Sequence, residues 1–195
     1  MNFCDTTDIS VIIVNYNTWH LVYDCISSIY EKTKGVSFEI VVVDNNSINK
    51  GQVVLERFPD VKVCLLPENI GFGKANNEGL KYTNGKYVFF LNSDTILLNN
   101  VLYELYEYME KNSMIGLCGG NLYTSDLYPN MSYSKYPSLL KEIFSIWGVS
   151  NQESDLSELF NNGVSRAIDG YISGADIFVR RSLLVDYAIL FHVFI

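Results

Sequence analysis

Asp44 is a residue whose type and position in the sequence suggest a chemical role. It directly follows the apolar run Ile40–Val43, so its carboxylate is expected at the rim of the fold rather than in the core. A carboxylate there can accept hydrogen bonds from a ribose or from the edge of a base. In the segment Asp44–Ser47, DNNS, the same side chain can instead cap the next helix. Taken alone, the residue leaves both interpretations open.

Asp94 offers the chemistry of a cation ligand. It ends the tripeptide Asn92-Ser93-Asp94, which comes after the apolar run Tyr87–Leu91. A diphosphate leaving group needs its charge neutralised as its bond to a sugar breaks, and a hard divalent cation held by oxygen ligands does that. Asp94 is the natural ligand, Asn92 can add a carbonyl oxygen directly or through water, and Ser93 permits a tight turn. An aspartate at a helix N-terminus is the alternative interpretation.

A pair of glycines indicates a third contact with an anionic ligand. Gly71 and Gly73 lie in the segment Glu68–Gly79, but Asn76 stands where the third glycine of a dinucleotide-binding GxGxxG belongs. The pair also follows the third predicted strand rather than the first, which argues against a nicotinamide-dependent oxidoreductase. We expect instead that the two glycines bring the backbone close to a nucleotide, where a helix N-terminus faces an anion.

Alternating strands and helices must position these residues. Short apolar runs rich in β-branched residues are typical of strands covered on both faces, and apolar residues at helical spacing indicate helices between them. Thr18 is the expected N-cap of the first helix, and Gly35 is its expected stop. The predicted strands are 9–14, 38–43, 61–66, 87–91, one that begins at 115, and a return strand at 177–179; the later helices are predicted at 50–58, 71–82 and 98–109.

This order predicts an α/β fold, a three-layer sandwich in which a mostly parallel sheet has helices on both faces. Ligands of such sheets bind beyond the carboxyl ends of the strands. The segments that follow the predicted strands are unusually polar, which places the candidate site at one edge of the sheet. They are Asn15-Tyr16-Asn17, Asp44-Asn45-Asn46-Ser47, Pro67-Glu68-Asn69 and Asn92-Ser93-Asp94.

The composition is that of one compact domain. Of the 195 residues, 48% are hydrophobic and 18% are charged, which excludes a disordered protein. The formal net charge of -8 disfavours a nucleic-acid partner, which would need a basic surface, and it means that an anionic ligand needs the help of a cation.

The cysteines and the hydropathy of the sequence indicate the cellular compartment in which the protein is expected. Four cysteines form no CxxC pair, and Cys25, Cys64 and Cys118 lie in apolar runs, as is typical of buried thiols in a reducing compartment. We find no signal peptide and no apolar stretch of membrane-spanning length. A cytoplasmic protein is therefore expected.

From about Leu122 to Val164 the regular pattern gives way to a segment rich in Tyr, Ser and Asn, for which we expect loops and short helices. Its tyrosines suit contacts with sugar rings, but they suit an ordinary surface loop equally well. These tyrosines are Tyr123, Tyr128, Tyr133 and Tyr136.

Five segments follow one another along the chain: Ser10–Asn17 (SVIIVNYN), Glu39–Ser47 (EIVVVDNNS), Glu68–Leu80 (ENIGFGKANNEGL), Tyr87–Thr95 (YVFFLNSDT) and Ile172–Ser182 (ISGADIFVRRS). In this order they resemble the family 2 glycosyltransferases of the GT-A (Rossmann-like) fold, particularly the rhamnosyltransferase-like branch that builds bacterial surface polysaccharides. Each segment alone is weak evidence for the family, whereas all five in order and at compatible spacing are specific to it. The resemblance implies one domain over residues 1–195, with a nucleotide-sugar-binding half at 1–120 and an incomplete acceptor-side half at 121–195.

The resemblance also implies a reaction and its site. A sugar would pass with inversion from a nucleotide diphosphate, in this branch rhamnose from thymidine diphosphate, to a saccharide or lipid-linked acceptor. Asp94 would hold Mg²⁺ or Mn²⁺ on the diphosphate, although Asn92 stands where many relatives carry a first Asp. Gly174 and Ala175 match the floor of the sugar pocket on the acceptor side. The residues matched to donor binding are Asn15, Asn17, Asp44, Asn45, Ser47, Asn69, Gly71, Phe72, Asn77, Asn92, Ser93 and Asp94.

The sequence departs from the family pattern after Asp186. The resemblance predicts a glycine pair, an FD, aromatic residues and an acidic ED pair that supplies the general base, whereas residues 187–195 read YAILFHVFI. A positioned base typically contributes ~10²- to 10⁴-fold, and we assign this role to no residue, neither His192 nor Asp176. We expect this chain to be shortened or altered relative to a longer ancestor. Its apolar end, Ala188–Ile195, is expected to pack against a second copy of the chain in a homo-oligomer.

Two hypotheses therefore remain. The first is a glycosyltransferase, cytoplasmic or peripheral at the inner face of the membrane. The second is a catalytically silent sugar-nucleotide-binding module, either a remnant or a subunit completed by a partner, and the missing acidic pair favours it.

Overall fold

The computed structural model describes residues 7–135, 165, 167, 168 and 170–186. The described residues fall into two units, one within Met1–Cys118 together with Gly174–Ile195, and one within Gly119–Ser173. All the predicted site residues lie in the first unit. The predicted apolar end, His192 included, lies outside the described residues.

The first unit alternates strands and helices as predicted. Its elements are β1 (Ile9–Asn15), α1 (Trp19–Lys32), β2 (Phe38–Asp44), α2 (Gln52–Arg57), β3 (Lys62–Leu65), α3 (Phe72–Leu80), β4 (Tyr87–Asn92), α4 (Val101–Lys111) and β5 (Leu117–Cys118), with β10 (Asp176–Arg180) and α5 (Arg181–Asp186) near the end of the chain. The second unit holds β6 (Leu122–Tyr123), β7 (Pro129–Asn130), β8 (Tyr133–Lys135) and β9 (Gly170–Ile172).

A six-stranded sheet in the order β3-β2-β1-β4-β10-β5 forms the centre of the first unit. Strands β1 to β4 are parallel, and β10 returns antiparallel between β4 and β5. The prediction of a mostly parallel α/β sheet, with a return strand near 177–179, is confirmed. Asn15 pairs with Asp44 and Val14 with Asn92, so the carboxyl ends of β1, β2 and β4 lie side by side.

Helices cover both faces of this sheet, because alternate strand residues point to opposite sides. Val11 and Ile13 of β1 belong to a buried cluster with α1, α2 and α4. Ile12 and Val14 belong to a second cluster, which includes α3 and α5. Helix α1 buries one apolar stripe at helical spacing, as the sequence predicts. The stripe consists of Trp19, Val22, Cys25, Ile26 and Ile29.

Several helix boundaries differ from the prediction by two or three residues, among them the end of α1 and the start of α4. Helix α1 ends at Lys32 rather than near Gly35, because Thr33 turns to an extended conformation while its N–H still donates to Ile29 O. Helix α4 begins at Val101 rather than at Leu98, whose side chain is 54% exposed. The apolar spacing predicted the buried faces of these helices better than their ends.

The second unit has short strands at 122–135, where loops and short helices are predicted; the rest of the predicted segment, 136–164, lies outside the described residues. Its described part forms two short antiparallel pairs, β6 with β7 and β8 with β9. Tyr123 and Tyr128 are exposed and Tyr133 is half-buried, while Tyr136 lies outside the described residues. Strands of two or three residues are too short to show a detectable hydrophobic alternation in the sequence.

The thiols are less uniformly buried than predicted. Cys25 is buried, Cys64 and Cys118 are half-buried, and all three are free thiols; Cys4 lies outside the described residues. Among the residues that the structure describes, no helix is long and apolar enough to cross a membrane.

Candidate functional site

Backbone hydrogen bonds gather the predicted polar loops at one edge of the sheet. Asn45 N donates to Asn15 O at 2.8 Å, and Leu66 N donates to Asp44 O at 2.9 Å. On the other side, Asn92 N donates to Ala175 O at 2.9 Å. The loops after β1, β2, β3 and β4 therefore meet the start of β10, as expected for the carboxyl edge of a parallel sheet.

Asn15, Asp44 and Ser47 form the buried centre of this edge. Asn15 Nδ2 donates to Asp44 Oδ1 at 2.8 Å and to Ser47 Oγ at 2.9 Å. Ser47 N donates to Asp44 Oδ2 at 3.3 Å, and Lys50 Nζ lies 3.6 Å from the same oxygen. Asp44 lies at the predicted edge, but its residue has 0% exposure, so the expectation that its carboxylate emerges at the rim is wrong. The Asn15 amide, the backbone N–H of Ser47 and the Lys50 ammonium compensate its buried charge.

Asn17 binds the second loop to the first. Asn17 N donates to Ser47 Oγ at 2.7 Å, and Ile48 N donates to Asn17 Oδ1 at 2.9 Å. Asn17 and Asn46 both adopt positive φ angles, 61° and 65°, which asparagine tolerates better than most residues. The asparagine-rich composition of these loops is therefore explained in part by their turns.

Asn45 and Asn69 join the loop after β2 to the loop that leads into α3. Asn45 Nδ2 donates to Asn69 Oδ1 at 2.8 Å, and Asn45 Oδ1 accepts from Ile70 N at 2.9 Å. Gly71 N also donates to Asn69 Oδ1, at 3.0 Å. Gly71 has φ +83°, and a Cβ built on it would meet no atom within 4 Å. This glycine permits the turn and leaves open space beside its backbone.

Two of the predicted site residues lie on α3. Phe72 is the first residue of the helix and is 41% exposed. Asn77 is half-buried in the middle of the helix and takes part in none of the hydrogen bonds above. They stay predicted contacts.

Asp94 lies in an exposed turn after β4. Thr95 N donates to Asn92 O at 3.2 Å, which closes the turn. Ser93 Oγ is 3.1 Å from Thr18 Oγ1, so the turn is bound to the start of α1. Beneath it, burial and, to a smaller extent, the negative charge of Asp94 raise the pKa of the Cys25 thiol to about 12. A thiol with that pKa stays protonated and unreactive at neutral pH.

The acceptor-side residues lie next to this turn. Ala175 accepts the hydrogen bond from Asn92 described above, and Gly174 has open space where a Cβ would stand. Asp176, which follows them, is only 4% exposed. Its carboxylate is therefore a poor candidate for a base that must reach an acceptor hydroxyl.

The donor set at the edge fits a cation that arrives with a ligand. Within the described ranges, no group of three or more His, Cys, Asp or Glu side chains is placed to hold a metal ion. Asp94 supplies one exposed carboxylate. Mg²⁺ commonly binds through one or two carboxylates plus the phosphates of its substrate, so a lone exposed carboxylate suits such an ion and not a protein-only metal centre.

Two residues of this edge were not predicted. Thr18, expected only as an N-cap, makes no side-chain capping bond and contacts Asn15 and Ser93 instead. Lys50, expected at a helix start, lies beside Asp44. A cation six positions after a strand-end aspartate is the one sequence signal that points to Lys50, and no local pattern points to Thr18.

Known proteins share this fold and sequence pattern. A family model described as Glycosyl transferase family 2 matches residues 10–176. The poly(ribitol-phosphate) beta-N-acetylglucosaminyltransferase TarP of Staphylococcus aureus (strain N315) is 32% identical over 110 residues, which cover 54% of this chain and 34% of TarP. The UDP-Glc:alpha-D-GlcNAc-diphosphoundecaprenol beta-1,3-glucosyltransferase WfgD of Escherichia coli is 30% identical over 125 residues, 55% of this chain and 49% of WfgD.

A solved structure matches over most of the chain. The crystal structure of S. aureus TarS 1-349 in complex with UDP-GlcNAc superimposes with a TM-score of 0.64 at 21% identity, and covers 93% of this chain and 48% of TarS 1-349. This chain thus spans half or less of the length of these proteins, and the TarS likeness shows the GT-A fold. Because the family model covers most of the chain, the protein belongs to glycosyl transferase family 2.

Proposed function

We propose that this chain binds a nucleotide-diphosphate sugar at the carboxyl edge of its sheet and transfers the sugar, with inversion, to a saccharide or lipid-linked acceptor. The observation that carries the proposal is the continuous set of contacts that joins Asn15, Asp44, Asn69 and the Asp94 turn at one edge. Residues far apart in sequence meet where α/β folds bind nucleotides.

Each loop has a distinct task in this proposal. The loop of Asn45 and Asn69 would hold the nucleoside, with the backbone at Gly71 close to it. Lys50, half exposed beside Asp44, adds positive charge at an edge that must accept an anion. Asp94 would hold Mg²⁺ or Mn²⁺, which neutralises the charge that develops on the leaving diphosphate. Ala175 and Gly174 would form the floor beside which the sugar meets its acceptor.

The donor is proposed to carry a pyrimidine base. TarS binds UDP-GlcNAc, and the name of WfgD specifies UDP-Glc. The rhamnosyltransferase-like segments indicate a thymidine-linked deoxysugar. Uridine and thymidine share the same hydrogen-bonding edge, so one site can suit either base, and the sugar is left for experiment.

The acceptor is proposed to be a growing bacterial surface polysaccharide. TarP and WfgD act on a poly(ribitol-phosphate) and a diphosphoundecaprenol-linked sugar respectively, according to their names. A reaction in the cytoplasm, at the inner face of the membrane, suits the free thiols of Cys25, Cys64 and Cys118. The apolar end of the sequence is proposed to meet a second copy of the chain.

A silent nucleotide-sugar-binding module is the second candidate. The observation in its favour is that Asp176, the carboxylate that directly follows the acceptor-side residues in the sequence, is buried. A module would bind the donor through the same edge but would transfer nothing.

A binding screen followed by a transfer assay tests these proposals. Thermal shift with UDP-GlcNAc, UDP-glucose, dTDP-rhamnose, GDP-mannose and NADH, each with Mn²⁺ or with EDTA, identifies the donor. We expect a pyrimidine nucleotide sugar to stabilise the protein only with Mn²⁺. Stabilisation by NADH in EDTA would contradict both candidates, and release of UDP or dTDP in the presence of an acceptor separates an enzyme from a module.

A further inference from the structure

Thr18 connects two loops of the site that lie far apart in sequence. Its hydroxyl lies between Asn15, at the end of β1, and Ser93, in the turn that carries Asp94. Thr18 Oγ1 is 2.9 Å from Asn15 Oδ1 and 3.1 Å from Ser93 Oγ. A chain of side-chain contacts therefore runs from Asp44 through Asn15 and Thr18 to Ser93.

The Asn15 amide is fixed in orientation and fully used. Its nitrogen faces Asp44 Oδ1, which can only accept, and its oxygen receives the backbone N–H of Thr18 at 3.0 Å. Nδ2 donates to Asp44 and Ser47, and Oδ1 accepts from the N–H and the hydroxyl of Thr18. An asparagine side chain offers two donors and two acceptor lone pairs, and all four are occupied. Because Asn15 is also 0% exposed, it acts on a ligand only through the residues that it holds.

The donors of the two hydroxyl hydrogen bonds at Thr18 can therefore be assigned. The oxygen of Asn15 can only accept, so Thr18 gives its single hydroxyl proton to it. In the contact between Thr18 and Ser93, either oxygen could be the donor by geometry alone. Since the Thr18 proton is already used, Ser93 must be the donor. The Ser93 side chain is thereby held inward, and the turn with Asp94 is held at a set place relative to Asp44.

We propose that Thr18 is a positioning residue that couples nucleoside binding to cation binding. This inference rests on the proposed function, because it takes the loop after β2 as the nucleoside side and Asp94 as the cation ligand. A nucleotide diphosphate with its cation must engage both sides at once. A turn that is already held in place by Thr18 removes part of the ordering cost of that step.

The variants Thr18→Val and Thr18→Ser separate this role from a merely structural one. Thr18→Val keeps the shape and the backbone N–H to Asn15 Oδ1 but removes the hydroxyl that donates to Asn15 Oδ1 and accepts from Ser93. Thr18→Ser keeps the hydroxyl. The measurement is the affinity for UDP and dTDP, titrated in parallel with and without Mn²⁺, and for uridine and thymidine.

We expect Thr18→Val to reduce the gain in UDP or dTDP affinity that Mn²⁺ provides by about fivefold, as for the loss of one hydrogen bond. Its affinity for uridine and thymidine should stay at the wild-type value, and Thr18→Ser should resemble wild type in both. A Thr18→Val protein with the full Mn²⁺ gain, or one that loses nucleoside affinity equally, would overturn the inference.

Ser93→Ala removes the same contact from its other end and serves if Thr18→Val does not fold. It should lower the same gain in UDP or dTDP affinity that Mn²⁺ provides. The double variant, Thr18→Val with Ser93→Ala, should lose no more of this gain than the single variant with the larger loss. Fully additive losses would overturn the coupling. If wild-type protein binds neither UDP nor dTDP with Mn²⁺, the proposed function fails as well, whereas binding with unchanged variants overturns the role of Thr18 alone.

Discussion

At the residue scale, the candidate site divides into buried polar groups that organise it and exposed groups that can meet a ligand. Asn15, Asp44 and Ser47 are at most 2% exposed and satisfy one another. Asp94 is exposed and lies on a turn. Replacing a buried member should therefore cost stability, whereas replacing Asp94 should cost ligand affinity.

Asp94→Asn tests the exposed group. The amide keeps the size of the side chain but loses the charge that attracts a hard cation, so UDP or dTDP affinity in Mn²⁺ should fall by about tenfold or more. The free energy of unfolding should change by less than about 0.5 kcal/mol. Calorimetric titration and urea denaturation measure the two quantities.

Asp60→Asn is the matched control for Asp94→Asn. Asp60 is also exposed, but it precedes β3 and so lies at the opposite, amino edge of the sheet. Its replacement should leave nucleotide affinity unchanged. Equal affinity losses in the two variants would mean that general charge, and not the Asp94 turn, determines binding.

Asn15→Ala tests the buried group. It removes the donor to Asp44 Oδ1 and the acceptor of the Thr18 N–H, which should lower the free energy of unfolding by about 1–3 kcal/mol. Asn15→Asp should be worse near neutral pH, because a second carboxylate would lie against buried Asp44 and one of the two would have to take up a proton. Urea denaturation at several pH values checks this. An Asn15→Asp protein that gains no stability as the pH falls would contradict the geometry.

At the element scale, burial explains which parts of the fold the sequence could predict. Each parallel strand is an uninterrupted apolar run because helices cover both of its faces, and the polar residue after each run marks the carboxyl edge. The short strands of the second unit have no such run. The contact between Thr18 and Ser93 joins positions 75 residues apart, and it depends on a register that no single sequence displays.

Helix α3 leads from the site at Gly71 across the sheet, and Gly79 sets how closely it packs. A Cβ on Gly79 would lie 2.7 Å from Ile12 Cγ2 and 3.0 Å from Val43 Cγ2. Alanine normally favours a helix over glycine by about 1 kcal/mol, but overpacking of this kind costs about 1–3 kcal/mol. Gly79→Ala should therefore lower the melting temperature.

Gly174→Ala is the matched control, since an added Cβ there would meet no atom within 4 Å. It should leave the melting temperature nearly unchanged. A Gly79→Ala protein that melts at or above the wild-type temperature would show that α3 packs less closely on β1 and β2 than the structure shows.

At the scale of the whole molecule, the two edges of the sheet have different chemistry. The carboxyl edge carries the asparagine side chains of the site and Asp94. At the amino edge, Glu39 connects neighbouring segments through hydrogen bonds. Glu39 accepts hydrogen bonds from Ser10 Oγ and Lys62 Nζ, each at 2.6 Å, and from Asn84 N at 2.7 Å. Burial alone would raise the pKa of Glu39, but these donors outweigh it and lower the pKa below 4.5. The protein thus gains stability when Glu39 is ionised.

The pH dependence of stability follows from that lowered pKa. The contribution of Glu39 is fully present above its unfolded-state pKa and is lost as the pH falls through the lower folded-state pKa. Glu39→Gln should be less stable than wild type near neutral pH, and its stability should fall less steeply as the pH decreases from about 5. Urea denaturation across this pH range measures both slopes. Parallel slopes for the two proteins would contradict the role of Glu39.

The location of the cation tests the central claim most directly, because the account places a cation-bridged nucleotide at the carboxyl edge. Paramagnetic broadening of backbone amide NMR signals by Mn²⁺, with and without UDP or dTDP, reports that location. We predict broadening of the signals of Thr18, Asn45, Gly71 and Asp94 that requires the nucleotide, while Glu39 and Gly85 at the amino edge stay sharp. Broadening at the amino edge, or no broadening that depends on the nucleotide, would contradict the account.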